Sequence, residues 1–390
     1  MKKKVCFVTS TRFQKIDRDR FGLKYISKEY EVIIIDLSKL INKRSNIIFN
    51  KLKIKNLYEI DNLKKLTKLL KKNTFQFFVD NLNNSFYALV VRSIFKYYNI
   101  KSIKYIGGLK PPILYRYIYR RDGIRWIPLS SHEKKFFFKI KEIPLKIKSF
   151  IKTSLLKFLN SFFIDIVIVT GKNPQNLEGY LHKKIERIFS HGFDYNYFLE
   201  MKKKNIIEKN YILYIDQNFI YHADFFIKKR SPFVSKSFYS KLEKFLIDIS
   251  KKNNCDFKIA LHPKSILDKN NFKFSNKCYL NKTPELIQKS KYVICHYSTA
   301  VAFAVLFEKP IISLTSLELD NLWAGAQTRS MSKILNTPLY ILEEKQQNLK
   351  LENKFDKIKY NNYLNQYIKH PKSNNINSWS TLIKRIKKKN

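Results

Sequence analysis

Cysteine is scarce in this chain. Four occur in 390 residues (Cys6, Cys255, Cys278 and Cys295), and no CxxC pair is among them. That excludes a disulfide framework and a zinc ribbon. Cys6 and Cys295 fall in apolar strand-like runs, so the cysteines read as reduced, apolar fillers of a cytoplasmic protein. Long hydrophobic runs are missing too. None approaches the ~20 residues a membrane helix needs. Behind the basic MKKK start only Val5–Val8 is apolar, too short for the hydrophobic region of a signal peptide. A cytosolic protein, or one peripheral at the inner face of the cell membrane, is expected. Metal-binding patterns are equally thin. The one DxD match, Asp17-Arg18-Asp19, lies in a charged loop, and no His/Cys ligand cluster is visible, so no metal is expected. Acidic residues are few, 31 against 76 Lys and Arg. The basicity is spread along the whole length without an RNP, KH, zinc-finger or helix-turn-helix signature, so no nucleic-acid partner is expected.

What is present is a globular composition, 44% hydrophobic and 15% aromatic, in a chain long enough for two domains with their own cores. The net charge of +45 is extreme. Lys far outnumbers Arg, and Ile and Asn are abundant, as codon bias in an AT-rich genome produces. The remainder of the charge favours an anionic partner: a nucleotide sugar, a lipid-linked glycan or an acidic membrane face.

The stretch from Phe257 to Ser316 carries the densest information. Three short apolar runs, Phe257–Leu261, Tyr292–Cys295 and Ile311–Leu314, are continuous rather than alternating, as buried parallel strands are. Between the last two, Ala300–Phe307 is an apolar helix that starts after His296, Tyr297, Ser298 and Thr299 and is ended by Pro310. Polar side chains thus gather at the carboxyl ends of strands, where open α/β sheets bind ligands. Ser298 and Thr299 stand at the amino end of a helix, where free N–H groups favour an anion such as phosphate. His262 follows the first strand, and Pro263 holds it extended, so its imidazole can donate to a phosphate oxygen of a leaving nucleotide. The plainer alternative is that Ser298 and Thr299 only cap a helix and His262 only closes a turn.

The His262-Pro263 pair, followed one βα unit later by the Ser298-Thr299 turn, resembles the HP and S motifs of bacterial sialyltransferase-like GT-B glycosyltransferases. The resemblance extends over residues 205–340 and is only architectural before that. It implies an α/β, GT-B fold of two Rossmann-like doubly wound domains facing a cleft. It also implies a donor of CMP-activated sialic, pseudaminic, legionaminic or Kdo sugar, with His262, Pro263, Ser298 and Thr299 at the CMP phosphate. Teichoic-acid glycerophosphotransferases, which use CDP-glycerol, resemble the same pattern.

The rest of the chain fits that frame. Lys4–Thr9, Glu31–Asp36, Phe75–Val79 and Ile164–Thr170 read as parallel strands, with helices over residues 60–73 and Ser85–Tyr98. Asp80 ends a strand and is a candidate base for the acceptor hydroxyl, with a cap for the following helix as the alternative. Lys104–Pro112 (KYIGGLKPP) reads as a turn. Residues 134–163 mix Phe, Ile and Leu at helical spacing with lysines, a pattern that suits an anionic membrane face or a long core helix equally. Tyr211–Ile215 opens the second domain and ends at Asp216-Gln217, expected with His222 and Asp224 to line the site. Glu318, after the last strand, is expected at the ribose hydroxyls. The expected division is residues 1–200 for acceptor binding, 208–345 for the nucleotide sugar, and a helical tail, 346–390, crossing back to the first domain. The function expected is inverting, metal-independent transfer of a nonulosonic-acid-type sugar from CMP to a glycan or lipid-linked oligosaccharide, with no cofactor beyond the donor. The alternatives are a CDP-glycerol or ribitol phosphotransferase and a sugar-nucleotide epimerase. A nucleic-acid-binding protein ranks last.

Overall fold

A computed structural model describes residues 2–14, 17–18, 21–42, 52, 54–107, 111–120, 123–128, 154–173, 185–202, 207–222, 231–263, 265, 272–344 and 349–388. The apolar runs of the first third are strands: β1 (Lys4–Thr9), β2 (Glu31–Asp36), β3 (Leu57–Glu59), β4 (Phe75–Asn81) and β5 (Lys101–Ile106). After an antiparallel pair, β6 (Tyr115–Arg120) and β7 (Gly123–Pro128), β8 (Ile166–Val169) and β9 (Glu186–Phe189) rejoin them. Seven strands form one parallel sheet in the order β3-β2-β1-β4-β5-β8-β9. Successive side chains leave opposite faces of a strand, and both faces here are covered. Val5, Phe7, Phe77 and Val79 pack on one side with Ile26, Trp379 and Leu382. Cys6, Val8, Ile33 and Phe78 pack on the other with Leu66, Val91 and Phe95. This is why the strands read as unbroken apolar runs, each large side chain adding about 1.5–3 kcal/mol on burial.

The helices on that sheet have local start signals. Asn62 accepts a hydrogen bond from the Lys65 amide and caps Leu63–Lys71. Ser85 accepts from the Ala88 amide and caps Phe86–Tyr97. Gly22 has φ 56, and a Cβ there would stand 2.0 Å from Cδ1 of Trp379, so the close approach of that indole requires glycine.

The second sheet holds β10 (Tyr211–Ile215), β11 (Asp256–Leu261), β12 (Cys278–Leu280), β13 (Tyr292–Cys295), β14 (Ile311–Thr315) and β15 (Leu339–Ile341). Its order is β12-β11-β10-β13-β14-β15, all parallel. The strand order reverses between β10 and β13, which makes their carboxyl ends the topological switch point. Helix Lys236–Lys252 covers one face through Phe238, Leu242, Leu246 and Ile249.

The chain forms two compact units, neither contiguous. One is Met1–Gly107, Phe138–Asn196 and Lys369–Asn390; the other is Gly108–Phe137 and Tyr197–Ile368. An unbroken first domain over residues 1–200 is therefore corrected. The β6–β7 pair belongs to the second unit, where Leu114 donates to the Ser330 hydroxyl and Gln327 donates to the Pro111 carbonyl. The C-terminal helix Ser378–Lys387 belongs to the first, its Trp379 stacked on Tyr105 at 5.3 Å. A turn from Lys104 is also corrected: β5 runs through Ile106, because pairing with β8 extends it.

Candidate functional site

At the switch point of the second sheet, three strand ends present the expected residues side by side. β10 lies between β11 and β13, so the ends carrying His262 and Ser298 are two strand spacings apart, about 10 Å. Two side chains from the intervening β10 set the flanking loops. Asp216 is buried, and its carboxylate accepts from the Asn218 amide at 3.0 Å and from the Tyr239 hydroxyl at 3.1 Å. It also accepts from the backbone amides of Gln217 and His262. Burial pushes its carboxyl up to about 6, with these donors pulling the other way. Gln217 reaches across to β13 and accepts from the Tyr297 amide at 3.2 Å. The expectation that Asp216 contacts the nucleotide is thus corrected. Its side chain turns inward and holds the backbone from which His262 projects.

His262 itself is half-buried, and its carbonyl accepts from the Ser265 amide, closing the turn through exposed Pro263. Its ring packs against His222, centroids 4.6 Å apart. On the other side of β10, Ser298 is half-buried and Thr299 exposed, just before helix Val301–Leu306. The Ser298 hydroxyl accepts from the Ala300 amide at 3.2 Å. That bond uses a lone pair of the oxygen and not its proton, which Ser298 can donate to a ligand.

Beneath this turn lies His296, fully buried. Its Nδ1 pairs with the Leu314 carbonyl, which makes it the donor there, and its Nε2 therefore accepts from the Tyr214 hydroxyl at 2.9 Å. Burial lowers its pKa to about 4, only partly offset by the Leu314 bond, so it is a neutral anchor of the β13 turn rather than an acid.

Glu318 is occupied within its own unit, accepting from the Ser235 amide at 2.6 Å and the Ser235 hydroxyl at 3.0 Å. This places it at the start of helix Lys236–Lys252, where a carboxylate complements the free N–H groups. One feature the sequence reading did not single out is Trp323. Its indole is 44% exposed and lies 4.8 Å from the Tyr297 ring and 5.7 Å from Phe233. The aromatic pair Tyr297–Trp323 thus adjoins Ser298. The only signal was the rarity of tryptophan, three in the chain.

The first sheet's candidate resolves differently. Asp80 does end β4, but its side chain is fully buried against Arg92, whose Nε donates to Oδ2 at 2.6 Å and Nη2 to Oδ1 at 3.0 Å. The Leu82 amide donates to Oδ1 at 2.8 Å, and the Lys104 ammonium stands 3.4 Å away. Burial by itself raises the carboxyl, but Lys104 and Arg92 outweigh it and hold it below the ordinary carboxylate range. Lys104 is also lowered, because its own burial exceeds what Asp80 returns, so the bidentate Arg92 is the principal partner. A general base needs a free lone pair within reach of solvent or substrate. Asp80 has neither, and its role as base is corrected. It is no cap either, since Ser85 fills that place.

His191, in the first unit, is buried between the carbonyls of Ile376 and Gly192, and burial lowers its pKa. Asp17 accepts from the Gln14 amide at 2.8 Å; Asp19, the other half of the DxD match, lies outside the described residues, as does Asp224. Among the described residues there is no group of three or more His, Cys, Asp or Glu arranged to hold a metal ion.

No family model matches the sequence, and no curated protein matches it either. Solved structures do. A variant of the wall teichoic acid polymerase TagF superposes with a TM-score of 0.54 at 14% identity, over 100% of this chain and 90% of that one. UGT2 of Phytolacca americana, complexed with UDP-2fluoro-glucose and pterostilbene, gives 0.52 at 9% identity, over 100% and 99%. The UDP-GlcNAc 2-epimerase of Methanocaldococcus jannaschii gives 0.50 at 14% identity, over the whole of both chains. At these identities the likeness concerns architecture, and with two parallel sheets and interleaved helices the chain has the GT-B fold.

Proposed function

We propose that this chain is an inverting glycosyltransferase that moves a nonulosonic-acid-type sugar (sialic, pseudaminic, legionaminic or Kdo) from CMP to a surface glycan acceptor. The observation that carries this reading is the placement of the His262-Pro263 and Ser298-Thr299 turns on the two strands flanking β10, each turn held from β10 by its own side chain. A phosphate seated between them receives His262 from one side and the Ser298 and Thr299 hydroxyls from the other. As the bond from sugar carbon to phosphate oxygen breaks, the electron pair leaves with CMP, and these donors stabilise the growing charge. The acceptor hydroxyl forms the new bond and gives its proton to a base other than Asp80. Trp323, backed by Tyr297 and Phe233, offers its indole to the cytosine ring, a contact worth about 1–3 kcal/mol. No metal enters this scheme, because fixed protein donors serve the phosphate. An anionic membrane surface that presents a lipid-linked acceptor is part of the same proposal.

A second reading keeps cytidine and changes the transferred group to glycerol phosphate or ribitol phosphate. What favours it is the fold shared with TagF, also seen after a soak with CDPG, at a TM-score of 0.54. An epimerase, as in the third likeness, is separated from both by its nucleotide. The test is a thermal-shift titration with CMP, CDP, UDP, GDP and ADP, followed by turnover of His262→Ala. Stabilisation by CMP and CDP above the others is expected, with turnover reduced ~10²–10³-fold and the melting temperature unchanged. CDP well above CMP selects the second reading; a preference for UDP, or a strict need for a divalent ion, overturns the cytidine assignment.

A further inference from the structure

The helix over residues 154–161, in the first unit, is inside out. Its apolar side chains Leu155, Phe158, Leu159 and Phe162 recur at i, i+3, i+4 and i+7, the spacing that ordinarily faces a core. Yet they are 53%, 54%, 37% and 53% exposed, with the Phe158 and Phe162 rings packed on one another at 4.8 Å. Its polar residues Asn160 and Ser161 are the buried ones, each 1% exposed. The cause is Arg92, which reaches from the inner face of helix Phe86–Tyr97 to donate to the Asn160 side-chain oxygen. Asn160 donates in turn to the Leu156 carbonyl. A buried guanidinium needs acceptors, so it draws the polar face inward and leaves the apolar face outward. The neighbouring helix Phe86–Tyr97 likewise shows aromatic groups to solvent, Phe86 at 64%, Tyr87 at 52% and Tyr97 at 81%.

We propose that this face docks the protein on an anionic lipid surface. Contiguous exposed apolar groups on a soluble fold mark an interaction site, and charge complementarity selects the occupant. Between Glu133 and Asn160 the sequence carries eight lysines against two glutamates, within a chain of net charge +45. Lysine interleaved in the sequence with aromatic and aliphatic residues is the composition of interfacial helices, and each cation near an anionic bilayer adds about 1 kcal/mol. Among the described residues no helix is long and apolar enough to cross a membrane, so the contact is peripheral, with rings inserted at headgroup depth. The inference deepens the membrane surface of the proposed function, but its observations lie in the first unit alone, so vesicle binding can fail without touching the nucleotide assignment and the reverse.

The test is co-sedimentation of the full chain with vesicles of phosphatidylglycerol and phosphatidylcholine, and with phosphatidylcholine alone, at low and high salt. Wild type is expected to pellet with the anionic vesicles and far less with the neutral ones, and binding should weaken at high salt. Replacing Leu155, Phe158 and Phe162 with Ser should reduce binding roughly tenfold or more while leaving the far-UV spectrum and melting temperature as they are. Phe158→Trp keeps the face apolar, and its added fluorescence should be quenched by brominated lipid, a readout that survives even if the triple variant unfolds. Failure of wild type to bind anionic vesicles, or binding indifferent to both changes, overturns the proposal. So does a concentration-dependent dimer that the triple variant dissolves in the absence of lipid, which would make a second copy the occupant.

Discussion

Asp80→Asn separates two roles for that residue more sharply than any other change. The substitution is nearly isosteric, so packing of β4 stays as it is, but it removes the only carboxylate bonded to Arg92 among the described residues, a guanidinium 1% exposed. Arg92 keeps its bonds to the carbonyls of Leu82 and Asn83 and to Asn160. Lys104 keeps the Leu82 carbonyl at 2.7 Å. Two cations are left around a neutral amide. Breaking a buried pair by removing one partner costs about 3–5 kcal/mol, and the expectation is a loss at the lower end, since an amide oxygen still accepts. Urea unfolding should show the first unit's transition at lower denaturant. The pH dependence follows from the lowered carboxyl. A group whose folded pKa lies below its unfolded one stabilises the fold fully above the unfolded value of 3.8 and loses that contribution as pH falls through the depressed one. The gap between wild type and variant should therefore be constant at neutral pH and close only in strong acid. Turnover of the variant, measured below its unfolding midpoint, should fall no more than its folded fraction does. Abolished turnover in a protein with unchanged urea midpoint would refute the ion-pair reading and restore Asp80 as a base.

Three further outcomes follow from the geometry. His296, with a folded pKa of about 4 against 6.5, stabilises the fold fully above pH 6.5 and loses this as pH falls toward 4, about 3 kcal/mol in all. Asp216, raised to about 6, works the opposite way, adding stability at low pH that is lost as pH rises from 3.8; His296→Gln should thus expose a decline in stability with rising pH that the wild type masks, and chemical denaturation across this range that shows no such change of slope counts against both assignments. Gly22→Ala forces a Cβ into Trp379 in a left-handed backbone and should cost about 2–4 kcal/mol; an unshifted melting curve would mean the indole sits elsewhere. Trp323→Leu should weaken cytidine nucleotide binding about tenfold, in line with one stacking contact, with little change in melting temperature; equal affinity by calorimetry removes Trp323 from the proposed site.

Local pattern determined much of this protein. Tyr211–Ile215, Glu31–Asp36 and Tyr292–Cys295 are legible as buried strands because a parallel sheet covered on both faces demands unbroken apolar runs, and that demand is met residue by residue. The positions of His262 and of Ser298-Thr299 just past strand ends follow from the same runs. The short strands β3, β12 and β15, three residues each, are too brief for periodicity to announce, and only pairing with a longer neighbour makes them strands. Tertiary structure alone decided which strand-end carboxylates face outward. Asp80-Asn81 and Asp216-Gln217 look alike in sequence, and both carboxylates turn inward, one to an arginine 12 residues away and the other to a tyrosine 23 residues away. The segment leading into β6 joined the second unit through bonds spanning 216 residues, from Leu114 to Ser330 and from Gln327 to Pro111. The helix over 154–161 turned its polar face inward to satisfy Arg92, 68 residues earlier. An apolar period shows that a helix has two faces; which of them is buried depends on the neighbour it meets, and here Asn160 faces inward as a further acceptor for a buried guanidinium already bonded to Asp80, Leu82 and Asn83.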